Sequence, residues 1–249
     1  MKENRKILHS YKYNEHIPSH QAEYVESRLH YIRPYLTNVG KILELGCGEG
    51  LLSERIKRES ACEFYGLDIS PSGVRLAKKR GIIAQVADLN EDLPYLDNSF
   101  DMILSDQVLE HVFRTDHLFD EIYRILKPKG TVILITPNLS FWLNRALFPL
   151  GYYPIFSEAS ERSKMYGTKV LKRLIKDNSA VGHIRVFNQA ALEDIFSAHN
   201  LQIKKMQGLP MSWGLPSTLR IFYDLIDRFF SLFPSLSRDV LVVAVKETG

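Results

Sequence analysis

The stretch KILELGCGEGL (Lys41–Leu51) contains the most informative pattern in this chain of 249 residues. Its first part, Lys41–Gly46, is an apolar run typical of a buried strand, and a helix-compatible run follows the stretch. Gly46, Gly48 and Gly50 allow the backbone to turn tightly and allow a ligand to approach main-chain atoms closely. Open α/β sheets bind ligands at the carboxyl ends of their strands, so this loop is predicted to form part of a ligand site.

The spacing of the glycines and of two acidic residues narrows the class of ligand. The loop follows the pattern G-x-G-x-G, in which the third glycine falls one residue too early for a dinucleotide fingerprint, and no phosphate-binding Lys-Ser/Thr pair follows it. Asp68 ends the second predicted strand, where a carboxylate can accept hydrogen bonds from ribose hydroxyls. Asp88 ends the third, where the edge of an adenine would lie. The pattern favours a nucleoside ligand without a pyrophosphate.

Strands and helices alternate on both sides of this loop, which predicts a parallel sheet with right-handed crossovers. The predicted strands are Lys41–Gly46, Phe64–Asp68, Ile82–Asp88, Phe100–Ser105, Thr131–Pro137, Leu201–Gln207 and Asp239–Lys246. The predicted helices are Leu51–Arg58, Pro71–Arg80, Asp116–Leu126, Gln189–His199 and Leu219–Phe233, with an N-terminal helix whose apolar stripe is Ala22, Val25, Leu29, Ile32 and Leu36. Residues 127–130 (KPKG) are predicted to stop the preceding helix and turn into the fifth strand.

Composition excludes several classes of protein. Apolar residues make up 45% and charged residues 24% of the chain, which are ordinary values for a globular protein, and the net charge of +3 is too small to indicate nucleic-acid binding by charge alone. Cys47 and Cys62 form neither a disulfide framework nor a zinc pattern. No signal peptide or apolar run long enough to span a bilayer is found, so we expect a cytoplasmic protein.

Four segments together resemble the class I S-adenosylmethionine-dependent methyltransferases, in the broad type that includes the ubiquinone-biosynthesis O-methyltransferases. The segments are ILELGCGEG, YGLDIS, ADLNEDLPYLDNSFDMILSDQVLEHV and EIYRILKPKGTVILITPN, and they cover about residues 40–137 in the family's order. The resemblance implies an α/β fold: a doubly wound, seven-stranded, mostly parallel Rossmann-like sheet with an antiparallel last strand. It also implies S-adenosyl-L-methionine as the cofactor.

The same resemblance implies a set of cofactor-binding positions. Glu44 and the three loop glycines would line the methionine end of the cofactor, and Asp68 would hold the ribose. The remaining positions are Ile69 against adenine, Asp88 and Leu89 at the adenine edge, and Ser105 and Asp106 near the sulfonium. Tyr11 and Tyr13 are weaker candidates for closing over the cofactor.

The chain divides into four predicted segments: an N-terminal helical cover (1–39), a cofactor-binding core (40–137), a substrate-lid insert (138–187) and the C-terminal part of the same sheet (188–249). The insert matches no family pattern. Within it, aromatic residues at 141–156 are followed by cations at 164–176, so we expect an apolar or ring-containing acceptor with a negative group. Tyr153, Tyr166 and Arg185 are the candidate acceptor-binding residues. The helix Leu219–Phe233 is predicted to be either a core or interface helix or a membrane-surface helix.

Two histidines are candidates for the general base that a hydroxyl acceptor needs. His111 follows the fourth strand, and His183 lies where the insert returns to the core. No metal-ligand set is evident in the sequence. The sequence predicts methyl transfer, most favourably to oxygen, on a small-molecule, glycan or lipid-linked acceptor. Two alternatives stay open: an RNA methyltransferase that uses the basic cluster at Lys164, Lys169, Lys172, Arg173, Lys176 and Arg185, and a non-catalytic cofactor-binding protein.

Overall fold

The computed structural model describes residues 19–168, 179–210 and 217–247, which contain seven strands. The strands are β1 (Lys41–Leu45), β2 (Glu63–Asp68), β3 (Ile83–Val86), β4 (Phe100–Asp106), β5 (Leu126–Pro137), β6 (Leu201–Leu209) and β7 (Asp239–Lys246). They form one sheet in the order β3-β2-β1-β4-β5-β7-β6. Only β7 runs antiparallel to its neighbours, which are β5 and β6. The predicted doubly wound, mostly parallel sheet with an antiparallel last strand is confirmed.

Helices cover both faces of the sheet. They are α1 (Ser19–Ile32), α2 (Leu51–Glu59), α3 (Pro71–Lys79), α4 (Thr115–Ile125), α5 (Trp142–Leu147), α6 (Gln189–Ala198) and α7 (Ser217–Phe230). One core contains side chains of α1, α2 and α3, and the core on the opposite face contains side chains of α4 and α6. Successive strand residues such as Ile42 and Leu43 enter opposite cores. Because both faces are covered, the strands read as continuous apolar runs.

Two strands, β5 and β3, differ most from their predicted bounds. The predicted turn at residues 127–130 is wrong, because β5 already begins at Leu126. Phe100 pairs with Leu126 and Met102 with Thr131, so the KPKG residues bulge out of a continuous strand. At β3, pairing ends at Val86, and the Asp88 side chain turns to accept hydrogen bonds from Asn90 instead.

The insert begins and ends at one place beside the sheet. Asn138 forms an isolated parallel bridge with Phe187, and the Leu139 amide donates to the Phe187 carbonyl at 2.8 Å. Between these ends, a small separate core forms around Phe141, Ile155 and Tyr223. Tyr223 belongs to α7, so the aromatic insert and the C-terminal helix pack together.

Helix α7 has one buried and one exposed face. Tyr223 and Asp227 are buried, and the indole Nε1 of Trp142 donates to Asp227 Oδ1 at 3.1 Å. The exposed large apolar side chains of α7 and the following turn are Ile221, Phe222, Leu225, Ile226, Phe229, Leu232 and Phe233. Within the described parts of the chain these side chains contact solvent, while the opposite face of α7 joins a core cluster, so both predicted alternatives, a core or interface helix and a membrane-surface helix, stay predictions. None of the helices in the described ranges combines the length and apolar character that a membrane span requires.

Candidate functional site

The glycine loop (residues 46–50) turns at the carboxyl end of β1. Gly46, Gly48 and Gly50 all have positive φ angles, of 71°, 51° and 77°. A side chain at Gly46 would also collide with Val108, because its Cβ would lie 2.3 Å from Cγ2. The Gly46 amide donates to the Leu67 carbonyl at 2.7 Å. These contacts hold the loop in a backbone conformation that L side chains rarely adopt.

Asp68 links the glycine loop to the next crossover. Its Oδ2 accepts from the Gly48 amide and its Oδ1 accepts from the Ser70 amide, both at 2.8 Å. Burial raises the pKa of Asp68, while the two amide hydrogen bonds lower it. Because a carboxylate has about four lone-pair sites, two of them are free to accept hydrogen bonds from a ligand. Ile69, the predicted adenine contact, is half-buried beside it.

Asp88 and Leu89 lie in a loop that is hydrogen-bonded to the segment following β4. Asp88 Oδ1 accepts from the Asn90 amide at 3.0 Å and from Asn90 Nδ2 at 2.7 Å. Asn90 Oδ1 in turn accepts from the Phe113 amide at 2.8 Å. Leu89 is buried in the core. The predicted adenine-edge residues therefore lie on the same edge as Asp68, and their ligand contacts stay a prediction.

Glu44 lies beneath the glycine loop and is buried. Ser53 Oγ, in the first half of α2, donates to Glu44 Oε2. Burial, with smaller contributions from the nearby Asp106 and Asp68, raises the pKa of Glu44 to about 8. The carboxyl group therefore holds α2 against β1.

The carboxyl end of β4 contains polar atoms without hydrogen bonds among the described residues: Ser105 Oγ, Asp106 Oδ1 and Gln107 Nε2. All three atoms are buried. Gln107 also has a positive φ of 56°, which is uncommon outside glycine. Buried polar atoms generally have partners, so these three are candidates for contact with a polar ligand, and their predicted role at the cofactor stays a prediction.

Sequence reasoning missed the network of charges behind this edge, which we call the arginine network (Tyr24, Arg28, Asp106, Asp239). Asp106 Oδ2 accepts from the Tyr24 hydroxyl at 2.7 Å and lies 3.4 Å from Arg28 Nε. Arg28 Nη2 donates to Asp239 Oδ2 at 2.7 Å, and Arg28 is only 1% exposed. Burial alone would lower the pKa of Arg28, but Asp106 and Asp239 raise it well above its ordinary value. The network fixes α1 to the ends of β4 and β7.

The two candidate bases lie side by side, with a third group that the sequence did not single out. The rings of His111 and His183 are 4.9 Å apart, and His183 Nε2 is 4.0 Å from Glu110 Oε1. We call these three residues the histidine cluster. Burial lowers the pKa of His111 to about 4 and also lowers that of His183, while burial raises the pKa of Glu110 to about 8. A histidine with a pKa of about 4 is a weak base at neutral pH.

The candidate acceptor residues are not gathered around one point in the described contacts. Tyr153 and Tyr166 lie in the insert and are 39% and 49% exposed. Arg185 Nη1 donates to the Phe113 carbonyl at 2.7 Å and to the Val112 carbonyl at 3.3 Å, so it braces the loop after the histidine cluster. Tyr11 and Tyr13 lie outside the described residues, as do Lys169, Lys172, Arg173 and Lys176 of the basic cluster.

These residues fit the predicted nucleoside cofactor. The edge offers a carboxylate with free lone pairs at Asp68, main-chain atoms of the glycine loop, and the buried polar atoms at the end of β4. No phosphate-binding lysine follows the loop, in keeping with S-adenosylmethionine, which lacks phosphate. The donors and acceptors thus match a ribose, a base and an amino-acid tail.

Comparison with known proteins identifies the family of this chain. A family model described as a methyltransferase domain matches residues 13–205. Among curated relatives, the mitochondrial ubiquinone biosynthesis O-methyltransferase of Dictyostelium discoideum is 28% identical over 73% of this chain and 57% of its own length. The ubiquinone biosynthesis O-methyltransferase of Mesorhizobium japonicum is 32% identical over 55% of this chain and 54% of its own length. The chain thus spans about half the length of these two relatives.

A solved structure, that of the PH0226 protein from Pyrococcus horikoshii OT3, has the same fold. It superposes with a TM-score of 0.63 over 94% of this chain and 95% of that chain, at 17% identity. This identity supports the fold alone, whereas the family model covers most of the sequence. The chain belongs to the methyltransferase-domain family, and the predicted resemblance to the class I S-adenosylmethionine-dependent methyltransferases is confirmed.

Proposed function

We propose that this protein transfers a methyl group from S-adenosylmethionine to the oxygen of an apolar small molecule, which is ring-containing or lipid-linked. The observation that carries the proposal is the edge formed by the glycine loop, Asp68 and the end of β4, with buried polar atoms that the described residues leave unpartnered. S-adenosylmethionine, when bound, supplies a methyl group on a good leaving group. The protein then has to position an acceptor oxygen and exclude water.

Each part of the edge has a separate task in this proposal. Asp68 would accept hydrogen bonds from the ribose, and the glycine loop would accommodate the methionine portion against bare backbone. Ser105 and Gln107 would contact the polar groups near the sulfonium. The arginine network holds α1 over this edge, so that the covering helix and the end of β4 keep a fixed distance.

The packing of the insert supports an apolar acceptor. Its small core contains Phe141 and Ile155 and joins α7, whose outer face exposes a row of large apolar side chains. Arg145 and Arg228 are exposed in the same two elements. Such a surface suits peripheral contact with an anionic lipid layer, from which an apolar acceptor could enter. The curated relatives named above are O-methyltransferases of ubiquinone biosynthesis, which favours oxygen as the accepting atom.

Burial of the imidazole disfavours His111 as the group that removes the acceptor proton. Its lowered pKa leaves the imidazole neutral at pH 7 but makes it a weak base. His183 is shifted in the same direction. The catalytic role predicted for both histidines stays a prediction, and the histidine cluster is considered separately below.

A fractionated extract tests the proposed activity and its alternatives. Purified protein is incubated with S-adenosylmethionine and with either the organic-solvent fraction or the RNA fraction of a cell extract, and release of S-adenosylhomocysteine is measured. We expect release, together with a new methylated compound, with the organic fraction only. Release with RNA alone would support the RNA alternative, and tight cofactor binding without release in any fraction would support the non-catalytic one. An Asp68→Ala variant serves as the inactive control.

A further inference from the structure

Three potential metal ligands converge where the 3₁₀ turn Leu109–His111 meets the returning end of the insert. One ligand atom each from Glu110, His111 and His183 lies within 4.8 Å of the other two. The turn directly follows β4, and Thr136 at the end of β5 donates to Glu110 Oε2 at 3.0 Å. The cluster therefore lies over the carboxyl ends of two central strands, on the same edge as the glycine loop.

Hydrogen bonds to the backbone fix which nitrogen of each imidazole carries the proton. His111 Nδ1 lies 3.0 Å from the Gly182 carbonyl oxygen, and His183 Nδ1 lies 2.7 Å from that of Phe156. A carbonyl oxygen can only accept, so both Nδ1 atoms carry hydrogen and donate. Each Nε2 consequently presents a lone pair. Histidines that bind metals commonly donate their other ring N–H to a carbonyl in this way, which fixes the tautomer and the ring orientation.

The third group, Glu110, has a carboxylate oxygen near His183 Nε2 that lacks a hydrogen-bond donor among the described residues. Glu110 is fully buried, and its Oε1 forms no hydrogen bond with any described residue. The nearest imidazole nitrogen, His183 Nε2, is 4.0 Å away, which is too long for a hydrogen bond. The three residues thus bring potential ligand atoms within 4.8 Å of one another, and a cation shared by the Glu110 oxygen and the two imidazoles would give that oxygen a partner.

The surrounding backbone holds the three groups in place. The Glu110 carbonyl accepts from the Ile184 amide at 2.7 Å, which ties the returning insert to the 3₁₀ turn. The Glu158 carboxylate accepts from the amides of Val181 at 2.7 Å and Gly182 at 2.8 Å. The loop that carries His183 is therefore anchored on both sides of the ring. Glu110 and His183 are far apart in the sequence, yet the backbone holds them close together although their side chains form no hydrogen bond with each other.

We infer that Glu110, His111 and His183 bind one divalent metal ion of the zinc or iron(II) class. Two imidazoles and one carboxylate are the ligand set of several catalytic zinc and non-haem iron sites, whereas magnesium and calcium prefer oxygen ligands alone. Three protein ligands leave at least one coordination position open. The ligands are contributed by the 3₁₀ turn of the sheet edge and by the insert, so metal binding also fastens the insert to the edge.

The open position suggests what the ion would do, and this role, unlike the site itself, rests on the proposed function. An acceptor hydroxyl bound to the ion loses its proton more readily, and the proton passes to solvent. The resulting oxygen then forms the bond to the methyl carbon while the carbon–sulfur bond breaks and its electron pair stays on sulfur. The weakly basic histidines would act through the ion and would not themselves take the proton.

Metal binding by the full-length, untagged protein tests the site directly. The protein is stripped with a chelator, titrated with zinc(II) and, separately, with cobalt(II), and the bound metal is measured after gel filtration. We expect one ion per chain for the wild type and at least tenfold weaker binding for Glu110→Gln and for His183→Asn. The matched control is His199→Asn, because His199 also faces carboxylates, with Nδ1 2.9 Å from Asp120 Oδ1, but lies outside the cluster. It should bind metal like the wild type.

Spectroscopy on the wild type keeps the test independent of how the variants fold. X-ray absorption of the zinc complex should show two imidazole nitrogens at about 2.0–2.1 Å and oxygen in the remaining positions. Absence of tight binding by the wild type, retention of binding in Glu110→Gln and His183→Asn, or a coordination shell without histidine would overturn the inference. Calorimetry of S-adenosylhomocysteine on the metal-free protein separates the two proposals, because cofactor binding should persist without the ion.

Discussion

The glycine loop and the histidine cluster lie on the same edge of the sheet but are assembled in opposite ways. The loop is built from residues adjacent in sequence, and Asp68 is only 20 residues from the Gly48 amide that it holds. The cluster joins Glu110 and His111 to His183, and His111 Nδ1 contacts a carbonyl 71 residues away. The arginine network spans even more, with 211 residues between Arg28 and Asp239. Local geometry therefore forms the glycine-loop part of the edge, and long-range polar contacts attach both α1 and the insert to that edge.

The largest loss of stability is expected when a buried charge that pairs with distant residues is removed. Arg28→Met would leave the carboxylates of Asp106 and Asp239 buried without their cation, and breaking a buried ion pair in this way typically costs about 3–5 kcal/mol. Denaturation with urea should therefore show a loss of this size in the free energy of unfolding. The matched control is Arg33→Met, because Arg33 bonds Glu59 at 2.8 Å but is exposed. Exposed pairs contribute little, so the control should lose less than about 1 kcal/mol. Equal losses in the two variants would show that the network is not a main support of α1.

A smaller loss of stability is expected for a substitution within the glycine loop, which is built from neighbouring residues. Gly46→Ala adds a Cβ where φ is +71° and where Val108 Cγ2 would be 2.3 Å away. The left-handed backbone costs about 1–2 kcal/mol, and overpacking against a stiff valine adds about 1 kcal/mol or more. Gly151→Ala separates the two causes, because Gly151 has φ +80° with no atom within 4 Å of the added Cβ. Thermal unfolding should show the larger loss for Gly46→Ala, and similar losses would contradict the close approach of Val108.

The smallest effect on folding, with a measurable effect on binding, is expected at α7. Phe222→Ser combined with Phe229→Ser removes two exposed rings, which are 72% and 58% exposed. Sedimentation with vesicles of anionic phospholipid should show at least tenfold weaker binding, because each buried ring contributes on the order of 1.5–3 kcal/mol. Leu96→Ser is the control, since Leu96 is 83% exposed on another part of the surface. The lipid-surface proposal is wrong if the wild type does not bind vesicles, or if the double variant binds them as well as Leu96→Ser does.

The sequence predicted most of the fold because its strands are continuous apolar runs with clear ends. Helix ends can be equally clear. Helix α3 begins at Pro71, as predicted, because the Ser70 side chain caps it and proline suits the first turn. The bulge at residues 127–130 could not be predicted, because KPKG has the same composition as a helix stop and turn. Glu110 was missed for a different reason. It stands beside His111 in the sequence, but only the path of the insert brings His183 to the same point.

The role of Arg28 could not be predicted from the sequence for the same reason. It borders the apolar stripe of α1 at Leu29 and reads as an ordinary surface cation, since nothing in the sequence pairs it with Asp106 or Asp239. Asp106 is predicted from the sequence only as a position near the sulfonium, and the structure adds that its carboxylate binds Tyr24 and Arg28. Buried polar contacts between distant residues have no periodic signature, so the covering helix and the insert side of the site require the structure.

Titration calorimetry of S-adenosylhomocysteine into the purified protein tests the central claim most directly, namely that the glycine loop and Asp68 form a nucleoside site. The wild type should bind one molecule per chain. Asp68→Ala should weaken binding at least a hundredfold, because hydrogen bonds to a charged group contribute about 1.5–3 kcal/mol each. Asp92→Ala, at a side chain that is 90% exposed, should change nothing. No heat of binding with the wild type, or equal affinities for the wild type and Asp68→Ala, would contradict the account.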